Sequence, residues 1–470
     1  MFSVGIDFGT TGCKAIVSDP FGRIAGQAYL EYPLLVLSKF EVEQDARFWW
    51  ELPCQAVREA VAASGVPAEQ IGAVSVTSQG ISFVLVDENL EPVANAISWL
   101  DCRAGEEAAE LRRDYGEQEI YSLTGVVPDG VYVLPKLLWM KKHKPEAMRR
   151  ARKLLMPHDY VIAKLCGAVV TDHTMAGGTM LYDVKNRCWS GELLAHYGIE
   201  ETLLPELVTA GSRAGTLSRR AAEETGLCEG ITVGVGGQDQ KVAAFFCKPD
   251  LEAVTLSLGT AGAMEFLTDQ PVFGDSNRIP LFSYITAQCW TFEPVISTTG
   301  ACLKWLRNTL FPTLSFRSMD QLAETAAPGE LFFYPSLNNA EGAFYGISLN
   351  TGKEDIINSV LEGIAFQIKK RLLLCEAVCG EKKRMIVFGS GGSSDVWCQI
   401  IADVTGKELI ALSSPDAAGL GAAKLALMAA GEDISRFGED IFRSSRRYLP
   451  KRQEVYETAY RRYIEQENKL

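Results

Sequence analysis

Gly5-Ile6-Asp7-Phe8-Gly9-Thr10-Thr11-Gly12-Cys13-Lys14-Ala15 and, some 250 positions later, Thr255-Leu256-Ser257-Leu258-Gly259-Thr260-Ala261-Gly262-Ala263 are two versions of one turn. Each follows a short apolar run that reads as a strand, and each leads into another. A Gly-Thr-x-Gly hairpin exposes backbone N–H groups and a hydroxyl at its tip, and clustered amides form anion-binding concavities. Two such tips, with Thr10 and Thr260 facing each other across a cleft, would hold a polyphosphate from both sides. The repeat therefore predicts a two-lobed nucleotide enzyme with internal pseudo-symmetry.

Outward from the first turn, residues 2–8 and 14–18 read as a strand pair, and Asp19-Pro20-Phe21-Gly22 as the turn before a third strand. A helix is predicted after Asp45, with Phe48, Trp49, Ala56, Val57 and Val61 facing inward. Strands over 72–77 and 82–86 flank Ser78-Gln79-Gly80-Ile81, and helices follow over 104–114, 136–151 and 158–166. Ile231–Val235 reads as a buried strand ending in Gly236-Gly237-Gln238-Asp239, with a helix over 240–246. The pattern restarts near residue 250 with strand, turn and strand, then helices from Gly300 and over 354–376. A strand over 384–388 leads to Gly389-Ser390-Gly391-Gly392-Ser393-Ser394, a helix through Trp397 and Ile401, and a small-residue helix over 417–430. Strands alternate with helices in both halves, so the class is α/β. A boundary near 247–251 gives lobes over 1–247 and 248–470.

Bulk properties agree with an ordinary globular protein of two domains: 470 residues, 47% hydrophobic and 22% charged. A net charge of −13 argues against a nucleic-acid surface, which requires a basic stripe. Met1-Phe2-Ser3-Val4 carries no basic n-region, and no apolar run reaches the roughly 18 residues of a membrane span. The expectation is a cytoplasmic protein with no membrane partner, its 12 cysteines reduced. Cys375 and Cys379 share a helical spacing but have no second pair or histidine to complete a metal site. The four histidines, at 143, 158, 173 and 196, fall in no metal or triad spacing.

Several residues carry chemistry. Asp7 stands at a strand end before the first turn, beside Thr10, Thr11 and Lys14. A carboxylate there suits a hydrated Mg²⁺ on the phosphates, which takes oxygen ligands; turn formation is its structural alternative. Asp239 follows two glycines that would let a substrate approach the backbone. It is positioned to accept the proton of an attacking hydroxyl, or else to cap a helix. Gly389–Ser394 is a loose half of a dinucleotide fingerprint, and close helix packing accounts for Gly419-Leu420-Gly421. Gly352-Lys353 and Gly406-Lys407 are each followed by Glu, so no Walker-type phosphate loop is present. Trp99, Asp101 and Arg103 alternate, which on an extended segment puts them on one face. Such a face suits a polyhydroxylated ligand, while a surface ion pair beside a core Trp is the alternative.

Together these pieces resemble the sugar kinases of the FGGY family, of xylulokinase type, within the actin-like ATPase superfamily. The similarity runs in order through Asp7–Ala15, Glu43-Gln44-Asp45 before Trp49-Trp50, Trp99-x-Asp101-x-Arg103, Pro135-Lys136-Leu137-Leu138-Trp139 and Asp159-Tyr160. It continues through Gly237-x-Asp239, Ser257–Thr260, Gly300–Leu306, Phe344-Tyr345-Gly346, Gly391–Ser394 and Trp397. The resemblance implies two ribonuclease-H-like lobes around a central cleft where ATP and sugar meet. It makes Asp239 the catalytic base and a Mg²⁺-associated residue together with Asp7. It puts Thr10, Thr11, Lys14, Gly259 and Thr260 on the phosphates, and Lys304, Gly391 and Gly392 on the nucleotide. Gln79, Trp99, Asp101, Arg103 and Gln240 fall at or near sugar-contacting positions.

Departures bear on the sugar. Glycerol kinases carry an Arg-Glu pair where this chain has Gly80-Ile81, and a bulky aromatic where it has Ala263. Xylulokinases usually carry Met-His where it has Gln79-Gly80. The family's Gly-Glu-Arg-x-Pro segment is replaced by Leu337-Asn338-Asn339-Ala340-Glu341-Gly342, and the adenosine loop reads Gly-Ser-Gly-Gly. The implied reaction is ATP-dependent phosphorylation of a pentulose such as xylulose, with other ketoses or polyols as alternatives. A homodimer is compatible with this reading. The rival is a non-catalytic nucleotide switch on the same fold, which would need neither Asp239 nor the Trp99 group.

Overall fold

The computed structural model describes residues 1–274, 278–337, 342–414 and 416–469. Within Leu337–Gly342, where the sequence departs from the family's segment, 338–341 lie outside the described residues. The chain forms two compact units. The first is Met1–Lys248 with Asp269–Thr291 and Ala417–Glu439; the second is Pro249–Thr268, Phe292–Asp416 and Asp440–Leu470.

In the first unit, β1 (Phe2–Phe8), β2 (Gly12–Ser18) and β3 (Ile24–Glu31) form an antiparallel meander. Val4, Ile6 and Phe8 alternate along β1 and pack with Trp49 and Val57 of helix α1 (Phe48–Ser64). Gly5 points to the other face, where a Cβ would lie 2.0 Å from Gly419 O. The helix Ala417–Ala429 thus lies flat on the sheet, and the small residues of Gly419-Leu420-Gly421 serve close packing as expected. β4 (Ile71–Ser78) runs parallel to β1. After helix α2 (Pro157–Cys166) come β5 (Arg213–Thr216), β6 (Thr232–Gln238) parallel to β4, and helix α3 (Asp239–Phe246). The strand order is β5-β6-β4-β1-β2-β3.

β6 is longer than the sequence predicts. It was expected to end at Val235, but Gly237 and Gln238 resume pairing with Thr77 and Ser78 after an irregularity between Gly234 and Gly237. Three steps along β6 match two along β4, so β6 carries one extra residue, a β-bulge.

The second unit repeats the plan. β7 (Ala253–Leu258) pairs antiparallel with β8 (Gly262–Thr268), and helix α4 (Gly300–Leu310) follows. β9 (Arg384–Phe388) runs parallel to β7; after helix α5 (Asp395–Thr405), β10 (Glu408–Ala411) runs parallel to β9. β11 (Arg446–Tyr448) closes the edge antiparallel to β10. The run β8-β7-β9-β10 has the same strand directions as β2-β1-β4-β6, so each unit is a ribonuclease-H-like lobe of the actin-like ATPase type. Among the described residues, no helix is long and apolar enough to cross a membrane.

Candidate active site

β1 delivers Asp7 to the end of the sheet, and the β1–β2 register sets it directly opposite Lys14. The turn between them closes with Gly9 N–H donating to Gly12 O at 2.9 Å. Its carbonyls are held from below by side chains: Tyr32 Oη donates to Gly9 O at 2.9 Å, and Gln44 Nε2 to Thr10 O at 3.0 Å. Burial pushes the Tyr32 phenol well up, so it stays a neutral donor. Gln44 also donates to Tyr32 Oη at 3.0 Å, and its Oε1 accepts from Trp49 Nε1 and Gln79 Nε2, both at 3.1 Å.

Gln79, expected near the sugar, is only 3% exposed and belongs to this network. Its Oε1 accepts from Ser82 Oγ at 3.2 Å, and Ser82 Oγ accepts the Trp99 N–H at 2.9 Å. Trp99 Nε1 then donates to Thr10 Oγ1 at 2.8 Å, closing a ring of side chains beneath and beside the turn. Trp99 itself remains 39% exposed. Thus Thr10, Gln79 and Trp99, chosen on separate grounds, meet in one network. Tyr32, Gln44 and Ser82 complete it and were given no role from sequence; Gln44 stands in Glu43-Gln44-Asp45, the only signal that pointed there.

Asp101 and Arg103 do not lie on one face with Trp99. The segment runs as turns, not as an extended strand, because Asp101 N–H bonds Ser98 O at 3.1 Å and folds the chain back. The Asp101 side chain is fully buried, and that of Arg103 is 5% exposed. Asp101 Oδ2 accepts from Val42 N–H at 2.7 Å, and Arg103 pairs with Asp101 at 2.8 Å and Glu43 at 3.0 Å. The guanidinium lies 4.8 Å over the Trp139 ring. Burial opposes its charge, but Asp101 and Glu43 outweigh this and hold it above its ordinary range. These two residues brace the segment that carries Trp99. Lys136 does likewise, donating to Ser98 O at 2.8 Å; burial brings its pKa down to about 7.

Asp239 opens α3 beyond the bulged end of β6. It is not the cap: Gln238 occupies that position, its Oε1 accepting from Lys241 N–H at 3.2 Å. Asp239 Oδ1 accepts from Gln240 N–H at 2.7 Å and from Gln238 Nε2. The carboxylate therefore sits in the positive field of a helix N-terminus, which favours its anion. The glycines before it do not leave room for a substrate, contrary to expectation. A Cβ on Gly236 would lie 1.8 Å from Val76 O, and one on Gly237 would lie 2.8 Å from Thr174 Oγ1 and 2.9 Å from Ile285 Cδ1. Protein atoms fill both places. Gly80 is similarly close to Gln238, and Ile81 beside it takes a left-handed φ of 69°, a strained conformation for a β-branched residue.

Asp7 and Asp239 stand at the same C-terminal end of parallel strands separated by β4. Among the described residues, no group of three or more His, Cys, Asp or Glu side chains is placed to hold a metal. Two carboxylates at one end of the sheet are of the kind that would suit Mg²⁺, which is held by one or two carboxylates plus phosphates and water.

In the second unit, the turn after β7 has Gly259 N–H donating to Ala261 O at 3.2 Å. Its carbonyls are held by the start of α4: Gly300 N–H donates to Gly259 O at 2.9 Å and Ala301 N–H to Thr260 O at 3.0 Å. Thr299 Oγ1 adds a bond to Gly259 O at 2.9 Å. Lys304 is exposed one turn further along α4. After β9, Gly389 turns with φ of 90° into a short 3₁₀ segment, Ser390–Ser393. Gly391 is needed for packing, since its Cβ would lie 2.8 Å from both Leu258 and Trp397, whereas Gly392 has more space. Arg446 Nη2 fixes Gly392 O at 2.7 Å, and Ser394 caps α5. Ala263 is buried, with its N–H on Ser257 Oγ at 2.9 Å.

Residues 2–247 match the model for the N-terminal domain of the FGGY family of carbohydrate kinases, and residues 254–430 match that for its C-terminal domain. A xylulose kinase from Bacillus subtilis is 27% identical, covering 98% of this chain and 96% of its own. One from Lactococcus lactis is 28% identical over 92% of this chain and 88% of its own. The crystal structure of a xyloylose kinase from Brucella ovis superimposes with a TM-score of 0.90 at 27% identity, covering 99% of this chain and 98% of that one.

Proposed function

Since the chain belongs to the FGGY family of carbohydrate kinases, whose two domain models span residues 2–247 and 254–430, we propose that it transfers the γ-phosphoryl group of ATP to a hydroxyl of a pentulose such as xylulose. The pentulose rests on the relatives that carry that name. Other ketoses and longer polyols fit the same chemistry. Glycerol fits poorly, because Gly80-Ile81 offers no charged pair and Ala263 no aromatic wall.

The observation that carries this reading is the setting of Asp239. Gln238 takes the capping role, and the Asp239 carboxylate stands at the first position of the helix, directly after the end of β6, where it is proposed to accept the proton. In this proposal Asp239 orients the attacking hydroxyl and takes its proton, while Gln240 and Trp99 contact the sugar. Asp101, Arg103 and Gln79 act one step removed, through the segments they hold. Thr10, Thr11 and Lys14 from the lobe over 1–247, and Gly259 and Thr260 from that over 248–470, would contact the phosphates. Lys304, Gly391 and Gly392 would contact the remainder of the nucleotide. Asp7 and Asp239 would hold Mg²⁺. That ion supplies charge neutralisation on the phosphates, and most of the rate in such transfers comes from positioning and electrostatics. We place the reaction in the cytoplasm, where ATP is available.

The test is a coupled ADP-release assay over D-xylulose, L-xylulose, ribulose, erythritol and glycerol, with Asp239→Asn beside the wild type. The variant is expected to lose about 10²–10⁴-fold in kcat while still binding ATP. Activity within a few-fold of wild type would remove Asp239 from the mechanism. A glycerol kcat/KM above those of the other four would overturn the substrate class.

A further inference from the structure

The bulge interrupts the register of β6 between Gly234 and Gly237, just before Asp239, and two buried side chains bond the backbone on either side of Gly237. Gly236 N–H donates to His158 Nε2 at 3.1 Å, and Gln238 N–H donates to Thr174 Oγ1 at 2.9 Å. Each acceptor is itself anchored on a carboxylate. His158 Nδ1 lies 2.9 Å from Asp159 Oδ1, and Asp159 Oδ2 accepts Met156 N–H at 3.0 Å at the start of α2. Because Nε2 accepts a hydrogen bond, Nδ1 must carry the imidazole proton and donate it to Asp159. Thr174 Oγ1 donates to Asp172 Oδ1 at 2.9 Å, and Asp172 is fixed by the N–H groups of Thr174 and Met175 at 2.9 and 3.0 Å. The His158 N–H reaches across to Ser78 Oγ at 3.1 Å, which ties α2 to the end of β4. His158, Asp159, Thr174 and Asp172 are all buried. A Cβ on Gly237 would lie 2.8 Å from Thr174 Oγ1, so a side chain there would force Thr174 or the strand to shift. The break in register, two matched acceptors and a glycine approached closely by one of them converge on Gly236–Gln238.

We propose that His158 and Thr174 are positioning residues that clamp the bulged end of β6 and thereby aim the Asp239 carboxylate. This rests on the reading of Asp239 as the base. Bulges near active sites re-aim the side chains that follow them, and a misplacement of about 1 Å at a reacting group costs on the order of 10²-fold. The clamp therefore acts on kcat, with little effect on how tightly ATP or sugar is held.

Four variants test it, each checked for native thermal unfolding and circular dichroism and assayed beside Asp239→Asn. Thr174→Val keeps the shape but removes the hydroxyl, and is expected to lower kcat about 10–10²-fold with both KM values within about threefold. Thr174→Ser restores the acceptor and is expected to recover kcat to within about threefold of wild type. His158→Gln keeps an oxygen near the Nε2 position, whereas His158→Asn keeps only a group near Nδ1, so the Gln variant is expected to be the more active. A merely structural role predicts equal losses in each pair, tracking the unfolding temperature, and overturns the proposal. Wild-type kcat in Thr174→Val with Asp239→Asn inactive also overturns the clamp, and leaves the base assignment intact. An active Asp239→Asn overturns the base assignment, and the aiming of that residue with it.

Discussion

The two Gly-Thr turns differ by one residue in register, Phe8 pairing with Cys13 but Leu258 with Gly262, and they differ in their supports. The first, at Gly9–Thr11, rests on buried side chains: Tyr32 and Gln44 hold its carbonyls, and Trp99 holds its hydroxyl. The second, at Gly259–Ala261, rests on backbone, its carbonyls being taken by the N–H groups of Gly300 and Ala301 at the start of α4. The difference extends to the residue two places before each glycine. Asp7 stands opposite Lys14 in the first hairpin; Ser257 stands opposite Ala263 in the second, its hydroxyl committed to the Ala263 backbone. Of these two turns, the first carries a charged pair at its base and a bond from Trp99 to its Thr10 hydroxyl, and the second carries Ser257 and Ala263 in place of that pair. The second is a fixed cradle.

The largest effect should come from erasing that asymmetry. Asp7→Ser makes the first hairpin chemically like the second, and is expected to lower kcat about 10²–10³-fold, the range for removing one electrostatic stabiliser. Ser257→Ala, the reciprocal loss of a polar group, should leave kcat within about threefold and lower stability by about 1 kcal/mol. Equal effects on kcat would show that the two hairpins are equivalent and the comparison empty.

A smaller effect separates the two kinds of support. Gln44→Leu removes one acceptor and two donors at a fully buried hub and leaves Trp49 Nε1 unpaired. Unmade buried hydrogen bonds are costly, so a loss of about 2–4 kcal/mol and a raised KM for ATP are expected. Thr299→Val removes only the hydroxyl's bonds to Gly259 O and Thr260 O, while the amides of Thr299, Gly300 and Ala301 remain, and should cost about 1 kcal/mol. Urea unfolding of both variants decides this; a larger loss in Thr299→Val would reverse the assignment of supports.

The turns themselves were legible because a Gly-Thr tip between two apolar runs is a local signal, and so was the α/β alternation of both halves. Asp239 was legible as a strand-end carboxylate, but not the reason it is spared capping, which depends on the Gln238 side chain. The supports of the first turn were not legible. Gln44, Gln79 and Tyr32 meet from positions 12 to 47 apart in sequence, and nothing local states that an amide faces a turn rather than solvent. Alternation misled at Trp99–Arg103 because a period of two means one face only if the backbone is extended, and a hydrogen bond to Ser98 O folds it into turns. Gly236-Gly237 misled in the same way. A missing Cβ says that something comes close, and here it is Val76 O and Thr174 Oγ1 rather than a ligand. The helix Ala417–Ala429 reads as small-residue and apolar, but its return to the first unit depends on close approaches to distant positions such as Gly5 on β1 and Gly234 on β6.

The smallest expected effect tests whether side-chain support is titratable where backbone support is not. Lys136 holds Ser98 O, one residue before Trp99, and burial depresses its pKa from 10.5 to about 7 despite the pull of Asp101 and Asp129. Between those values the unfolded chain binds a proton that the folded chain has released, so stability rises with pH across that window. Below about 7 the lysine is charged in both states, and the cost of burying its charge is present in full. Lys136→Met removes the titrating group while keeping an unbranched chain of similar length, and Ser98 O retains the Asp101 N–H as a partner. The variant should therefore show a flatter rise in unfolding temperature between pH 7 and pH 10 than the wild type. Lys424, also held near 7 by burial, contributes equally to both proteins and cancels. The amides and hydroxyl that hold the second turn do not titrate in this range, so Thr299→Val should keep the wild-type slope. Parallel curves for Lys136→Met and wild type would mean that Lys136 is not held neutral, and that the network beside the first turn carries no pH dependence of its own.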